Sequence, residues 1–411
     1  MDELMSRPIF VHASPRSGST YVFNVLRRMG ELIAFNEAIN DVFSYYGKVT
    51  LRRFRQGQKW NVNHQFLDRD DFHEFVEAWD EVMGLYPAFP SFRDYLPVGG
   101  QIRRDLREYL DGLICYARRK GRRAALCEIH SRGRAGALRA AFGGFHVAQF
   151  RDPISQFGSF FRALDEGGQW NYLVFPLMEL GLTGDHLLYQ VVPERWRVPL
   201  LPWPERDRAQ RWASSIRYIS VVASTESGAL ERNFRWHIFS WFLSTLASVS
   251  YSDCLLDIDK LHDDPAYRRS ISGALGGEIG AEPDFSDLSN FRRYYEFEGV
   301  DISAICDEVV ASVRSAVADG RLGRSIASLG SDPRKIDVRE SVDLLEAKLV
   351  ESLDRFRTTQ DRRRVGVEDW NSLVHQHRMI WCKPAIRMVA QRMYPLGAPV
   401  ARLARLIGVW K

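Results

Sequence analysis

Cysteine is scarce and unpatterned in this chain. The 411 residues hold five, Cys115, Cys127, Cys254, Cys306 and Cys382, an odd number with no pair at metal-ligand spacing. That argues against a disulfide framework or a zinc site and fits a reducing compartment. Long apolar runs are lacking too. The most apolar stretch, Ile238 to Val249, is broken by Ser240, Ser244 and Ser248, which leaves it too short and too polar to span a bilayer. The formal net charge is only +4, so no global basic field points to nucleic acid as a partner. There is no internal repeat, no low-complexity tract and no Walker A sequence of the form G-x-x-x-x-G-K-[ST]. The chain reaches a functional-looking loop at Pro15, which leaves no room for a signal peptide, and a cytoplasmic protein is expected.

What is present reads as an α/β protein. Hydrophobic residues make up 45% and charged residues 26%, and the length suits one large domain with insertions or two domains. Pro8 to His12 is a short apolar run with the character of a buried strand. After a Ser/Pro/Gly loop, Val22, Val25, Leu26 and Met29 recur at helical spacing, and Gly30 is a natural stop. Ala124 to His130 and His146 to Arg151 are further strands, separated by a helix over Ser131 to Ala141 that ends at Gly143-Gly144. Asp152-Pro153 is an N-cap followed by proline at the first helical position. Leu230 to Val249 is a helix, Cys254 to Ile258 a strand, Asp263-Asp264-Pro265 a loop before another helix, and Val338 to Arg357 a polar amphipathic helix. The alternation predicts a parallel sheet whose strand ends carry the ligand. Residues 165–225, with Trp170, Trp196, Trp203 and Trp212, read as an aromatic insertion over it. Residues 1–335 are expected to form the α/β domain and 336–411 a C-terminal helical extension.

The chemistry concentrates at two strand ends. In Pro15-Arg16-Ser17-Gly18-Ser19-Thr20 a loop opens a helix, where the first N–H groups lack helical acceptors and the dipole is positive. Gly18 allows close backbone approach, the hydroxyls add donors, and Arg16 adds a fork suited to phosphate or sulfate oxygens. The plainer reading is a capped helix start with a surface arginine. Arg151 ends a strand, and Ser159 lies eight residues on, two helical turns along the face that also carries Ser155. Such a pair suits a second phosphate, and its plainer reading is a strand-end arginine beside a good cap.

Together these two elements resemble the family of sulfotransferases that use 3′-phosphoadenosine 5′-phosphosulfate (PAPS). Pro15 to Tyr21 is similar to the family's 5′-phosphosulfate loop, and Arg151-Asp152-Pro153 through Ser159 to its 3′-phosphate motif. The resemblance covers residues 8–162 and returns faintly at Leu255 to Leu275. It implies a P-loop-like three-layer sandwich, PAPS as donor, 3′-phosphoadenosine 5′-phosphate (PAP) as product, and no required metal. By it, Arg16 faces the sulfuryl group, Ser17, Gly18, Ser19 and Thr20 wrap the 5′-phosphate, Tyr21 stands near the adenine, and Arg151 and Ser159 take the 3′-phosphate. Many members have lysine where Arg16 stands. Arginine does not readily give up a proton, so its role narrows to charge stabilisation.

The acceptor hydroxyl then needs a base. Glu37, in Phe35-Asn36-Glu37-Ala38, is the candidate, since carbohydrate-acting and bacterial members carry a glutamate in a comparable F-x-E setting. His130 is the rival base, although a hydrogen-bonded strand-end histidine is its plainer reading. His12 reads as structural and Glu128 as an orienting residue. Arg132 and Arg134 read as solvated, with contact to an anionic acceptor as the alternative. The expected acceptor is a hydroxyl on a carbohydrate or glycolipid-like molecule. Residues 384–411, apolar with interspersed arginines, suit packing on the domain, an oligomer contact, or peripheral contact with the inner membrane surface. A nucleotide kinase-like phosphotransferase, or a non-catalytic anion- or membrane-binding member of the fold, are the alternative functions.

Overall fold

The computed structural model describes residues 7–45, 72–88, 90–167, 169–181, 188–198, 217–290, 292–330 and 337–376. Within them the strands are β1 (Ile9–His12), β2 (Leu32–Asn36), β3 (Arg123–Glu128), β4 (Phe145–Phe150), β5 (Cys254–Asp257), β6 (Tyr294–Phe297) and β7 (Arg362–Val365). The helices are α1 (Ser19–Arg27), α2 (Val42–Tyr45), α3 (His73–Val82), α4 (Arg104–Arg119), α5 (Ala135–Phe142), α6 (Pro153–Gly167) and α7 (Asn171–Gly181). They continue with α8 (Ala229–Val249), α9 (Ile258–Asp263), α10 (Pro265–Ile279), α11 (Ile302–Ala318), α12 (Arg321–Ala327) and α13 (Val338–Thr358).

β1 to β5 form an all-parallel sheet in the order β2-β3-β1-β4-β5. The chain runs from β1 out to β2, back to β3, and then crosses β1 to reach β4. The reversal opens a crevice at the carboxyl end of β1, the usual ligand position in such sheets. Both faces of the sheet are covered, which is why its strands are buried almost throughout rather than on alternate residues. Ile9, Val11, Ala34, Cys127, Val147 and Leu256 pack with α1 and α10 on one face. Phe10, Ile33, Phe35, Ala124 and Leu126 pack with α3, α4 and Leu138 of α5 on the other.

The caps read from sequence are formed. Asp152 Oδ1 accepts from the Ser155 amide at 2.8 Å, with Pro153 opening α6. The expected loop at Asp263-Asp264-Pro265 is compressed to one residue, because Asp264 caps α10 directly through the Ala266 and Tyr267 amides. β2 was not expected as a strand, and it alters the placement of Glu37. Within the proposed insertion, α7 packs along α8, and Trp170 is fully buried beside Trp370. Trp203, Trp212 and the tail 384–411 lie outside the described residues.

The segment from 336 is continuous with the main body as far as it is described. Val342, Leu345, Leu349 and Leu353 of α13 join the core around α8, and β7 pairs in parallel with β6. Lys348 is buried and its ammonium lies 2.9 Å from Asp257 and 3.0 Å from Asp259, directly after β5. Burial raises the Asp259 carboxyl, but Lys348, Arg151 and Arg292 outweigh that and hold it far below the usual carboxylate range. Stability from Asp259 is therefore present above its ordinary value of 3.8 and is lost as the pH falls further. No helix among the described residues is long and apolar enough to cross a membrane.

Removing the lysine takes away the cation that Asp257 and Asp259 share and leaves Asp259 only its arginines. Lys348→Met is expected to cost about 3–5 kcal/mol in urea unfolding, and adding Asp257→Asn should recover part of that loss.

Candidate functional site

The loop after β1 is built to expose amides. Arg16 and Gly18 adopt left-handed backbone conformations, with φ of 61° and 86°. Left-handed residues in a turn direct successive N–H groups into one concavity suited to an anion. Gly18 is the residue before α1, and no side chain caps that helix. Among the described residues the amides of Gly18, Ser19 and Thr20 have no backbone acceptor, and the hydroxyls of Ser19 and Thr20 make no hydrogen bond. A Cβ on Gly18 would sit 3.3 Å from Ile258 Cγ2, in addition to the strain of its φ.

Glutamines the sequence analysis had not singled out hold the loop's shape. Gln149 Nε2 donates to Ser17 O at 2.9 Å, and Gln156 Nε2 donates to Ser14 Oγ and Pro15 O, both at 2.6 Å. Ser17 is fully buried and its hydroxyl turns back to Ser14 O at 2.7 Å, so its side chain shapes the loop while its neighbours face outward.

Four of the expected side chains meet at one point. Arg151 donates to Arg16 O at 2.8 Å and to Ser155 Oγ at 2.6 Å. Arg16 Nε donates to Ser159 Oγ at 3.0 Å, and its guanidinium lies 5.4 Å from the centre of the Tyr172 ring. The strand β4 therefore delivers Arg151 to the β1 loop, while α6 turns Ser155 and Ser159 to the same side. The Arg151 guanidinium is lowered chiefly by burial and also by the nearby Arg16 charge, against Asp259 and Asp152 behind it. Two arginines kept this close, with hydroxyls and open amides around them, concentrate positive charge at this end of the sheet. Arg293 adjoins it, donating its amide to Ser155 Oγ at 3.0 Å. Its carbonyl lies where a Cβ on Gly158 would come within 2.5 Å.

Tyr21 lies apart from this group. It is buried, its hydroxyl donates to Asp287 at 2.8 Å, and its ring faces Phe285.

Glu37 follows β2 directly, at the same edge of the sheet as the loop. Its amide donates to Cys127 O at 2.7 Å, just as the Ala13 amide donates to Glu128 O at 2.8 Å. Glu37 and the β1 loop thus flank the end of β3, two strand spacings or about 10 Å apart. Its φ is 54°, and Asn40 donates to its carboxylate.

His130 is a poor base. It is packed between Phe92 and Phe175, and burial, with Arg134 and Arg132 nearby, lowers it to about 3. A group that gives up its proton so readily is badly matched to abstraction near neutral pH. Arg132 and Arg134 are buried rather than solvated. Arg132 pairs with Glu179 at 2.9 Å. Arg134 donates to five carbonyls, those of Pro90, Ser91, Arg93, Asp94 and His130. His12 is likewise structural, bonded to Ser131 at 2.7 Å and His146 at 2.9 Å inside the sheet.

The chain matches no protein-family profile, no curated protein and no solved structure.

Gly18→Ala is expected to cost about 1–2 kcal/mol of stability through its positive φ. It should also abolish any rise in melting temperature caused by inorganic sulfate, measured by scanning calorimetry with and without the ion.

Proposed function

We propose that this protein transfers a sulfuryl group from PAPS to an acceptor hydroxyl. The observation that carries the reading is the convergence of Arg16, Arg151, Ser155 and Ser159 beside the uncapped start of α1. One anion site at a helix start suits many ligands. A second cationic and hydroxyl cluster next to it suits a nucleotide with two separated phosphates, which PAPS has and ATP does not. The central parallel sheet with helices on both faces, in the order β2-β3-β1-β4-β5, is compatible with a P-loop-like sandwich.

On this reading the amides of Gly18, Ser19 and Thr20 cradle the 5′-phosphosulfate, and Arg151 with Ser159 receives the 3′-phosphate. Arg16, held by Ser159 in the unliganded chain, exchanges that contact for the donor's oxygens. Transfer is direct and in line. The acceptor oxygen bonds to sulfur as the bond from sulfur to the 5′-phosphate oxygen breaks, and PAP leaves. Arg16 and the amides stabilise the charge that builds on the leaving phosphate. Glu37 accepts the acceptor's proton from the far side of the β3 end. Tyr172 of α7, beside Arg16, suits the face of a sugar ring or glycolipid head group. The enzyme role, the donor and the carbohydrate-like acceptor are all parts of this one proposal.

The expected outcome in calorimetric titration is that PAP binds at least about tenfold tighter than AMP, the scale of a charged hydrogen-bonded contact. Arg151→Ala and Ser159→Ala should each erase that preference, with Ser159→Ala the milder change to the fold. Equal affinity of the wild-type chain for the two nucleotides would refute the donor assignment.

A further inference from the structure

Glu128 is a buried carboxyl group to which the transfer chemistry above assigns no task. It ends β3, is 1% exposed, and sits beneath the turn that carries Glu37. Its Oε2 accepts from the Ile39 amide at 3.1 Å, and the Ala38 amide also acts on the carboxyl. Its Oε1 has no hydrogen-bond partner among the described residues. The two amides belong to the residues directly after Glu37, whose left-handed φ of 54° is costly for a residue with a side chain. Glu128 thus holds in place the backbone on which the Glu37 carboxylate stands.

The protonation of this group follows from what surrounds it. An ionised carboxylate with a buried oxygen lacking any donor is strongly disfavoured. A protonated one places its hydrogen on Oε1 and leaves Oε2 to accept the Ile39 amide. The groups that act on it electrostatically come from several elements. Glu37 contributes a like charge from the β2 turn. Tyr109 of α4, buried, and Tyr86, half-buried, are neutral. Cys127, next to it on β3, is held neutral by burial. Arg134 contributes a positive charge, but its guanidinium is committed to five carbonyls. Burial first, and the Glu37 charge after it, push the Glu128 carboxyl up to about 8, against the opposing pull of the Ile39 and Ala38 amides and Arg134.

We propose that Glu128 and Glu37 act as a carboxylic acid–carboxylate pair, in which Glu128 keeps its proton, pins the turn that presents Glu37, and leaves Glu37 as the ionised member. The inference deepens the proposed transfer reaction and rests on it only for the use to which Glu37 is put. Glu128 is a positioning residue. It makes no contact with the transferring group, and it neither gains nor loses a proton in the reaction. Its neutrality matters because two ionised carboxylates at this edge would repel each other and the anionic donor, and one of them would take up a proton. Burial decides which one does.

The test is difference infrared spectroscopy of the protonated-carboxyl stretch across a pH titration of the full chain. The wild-type chain should show a band that disappears with a midpoint near pH 8. Glu128→Gln should lack that component, and Glu37→Gln should move its midpoint down by about half a unit to one unit, because the like charge is gone. A purely structural Glu128 would not respond to Glu37→Gln. The folded group holds its proton up to about pH 8, whereas the unfolded one releases it near 4.5. The wild-type chain should therefore lose stability through this group as the pH rises across that window, and Glu128→Gln should not. Persistence of the band in Glu128→Gln, or an unmoved midpoint in Glu37→Gln, would overturn the pairing. If Glu128→Gln does not fold, the Glu37→Gln arm decides alone. Titrating the same samples with PAP separates the two ideas, since a coupled titration without PAP binding supports the pair while removing the donor reading.

Discussion

A buried guanidinium, that of Arg151, is the constraint around which the rest of the site is arranged. It is taken out of water at the carboxyl end of β4 and must be satisfied there. Its hydrogen bonds go to the carbonyl of Arg16 and the hydroxyl of Ser155, which ties the β1 loop to α6. Its charge is answered from behind by Asp152 and Asp259. Asp259 in turn needs Lys348 from α13 and Arg292 from the strap before β6. A chain of buried charges thus runs from α13 to the loop after β1, and each link would be costly without the next. It also explains why the segment after residue 336 is bound into the same core as the sheet.

The opposite side of the crevice carries the reverse arrangement. There the turn after β2 brings an acidic pair to the end of β3, with Glu128 beneath and Glu37 above. Cations therefore sit on the β1–β4 side of the β3 end and Glu37 on its β2 side. That separation of charge is what a transfer reaction between an anionic donor and a hydroxyl acceptor calls for. In the proposed transfer, the cations stabilise the leaving group and the carboxylate takes a proton without neutralising them.

Much of this was legible where a short apolar run met strong punctuation. β1 with its Ser/Gly loop and β4 with Asp152-Pro153 follow from burial and capping rules that act within a few residues. β2 was not legible. Leu32 to Asn36 follows α1 after only a short link, and its acidic flanks Glu31 and Glu37 hid a five-residue strand that pairs with β3. β6 and β7 are short and charged, and they pair across a long stretch of chain. The largest departure from the sequence pattern is the burial of Arg132 and Arg134, because arginine is mostly solvated. Their burial depends on Glu179 and on carbonyls of residues 90–94, and such distant partners leave no local trace. Lys348 was hidden for the same reason, on a helix whose pattern is otherwise that of a solvated surface.

The central claim is that the two anion-binding elements serve one nucleotide carrying phosphates at both ends of its ribose. Phosphorus NMR of PAP bound to the wild-type chain and to Ser159→Ala addresses this most directly. Both the 3′ and 5′ resonances should shift on binding to the wild-type chain, and the 3′ shift alone should be lost in the variant. Movement of the 5′ resonance only, in the wild-type chain, would mean that Arg151 and Ser159 merely brace the loop and hold no second phosphate.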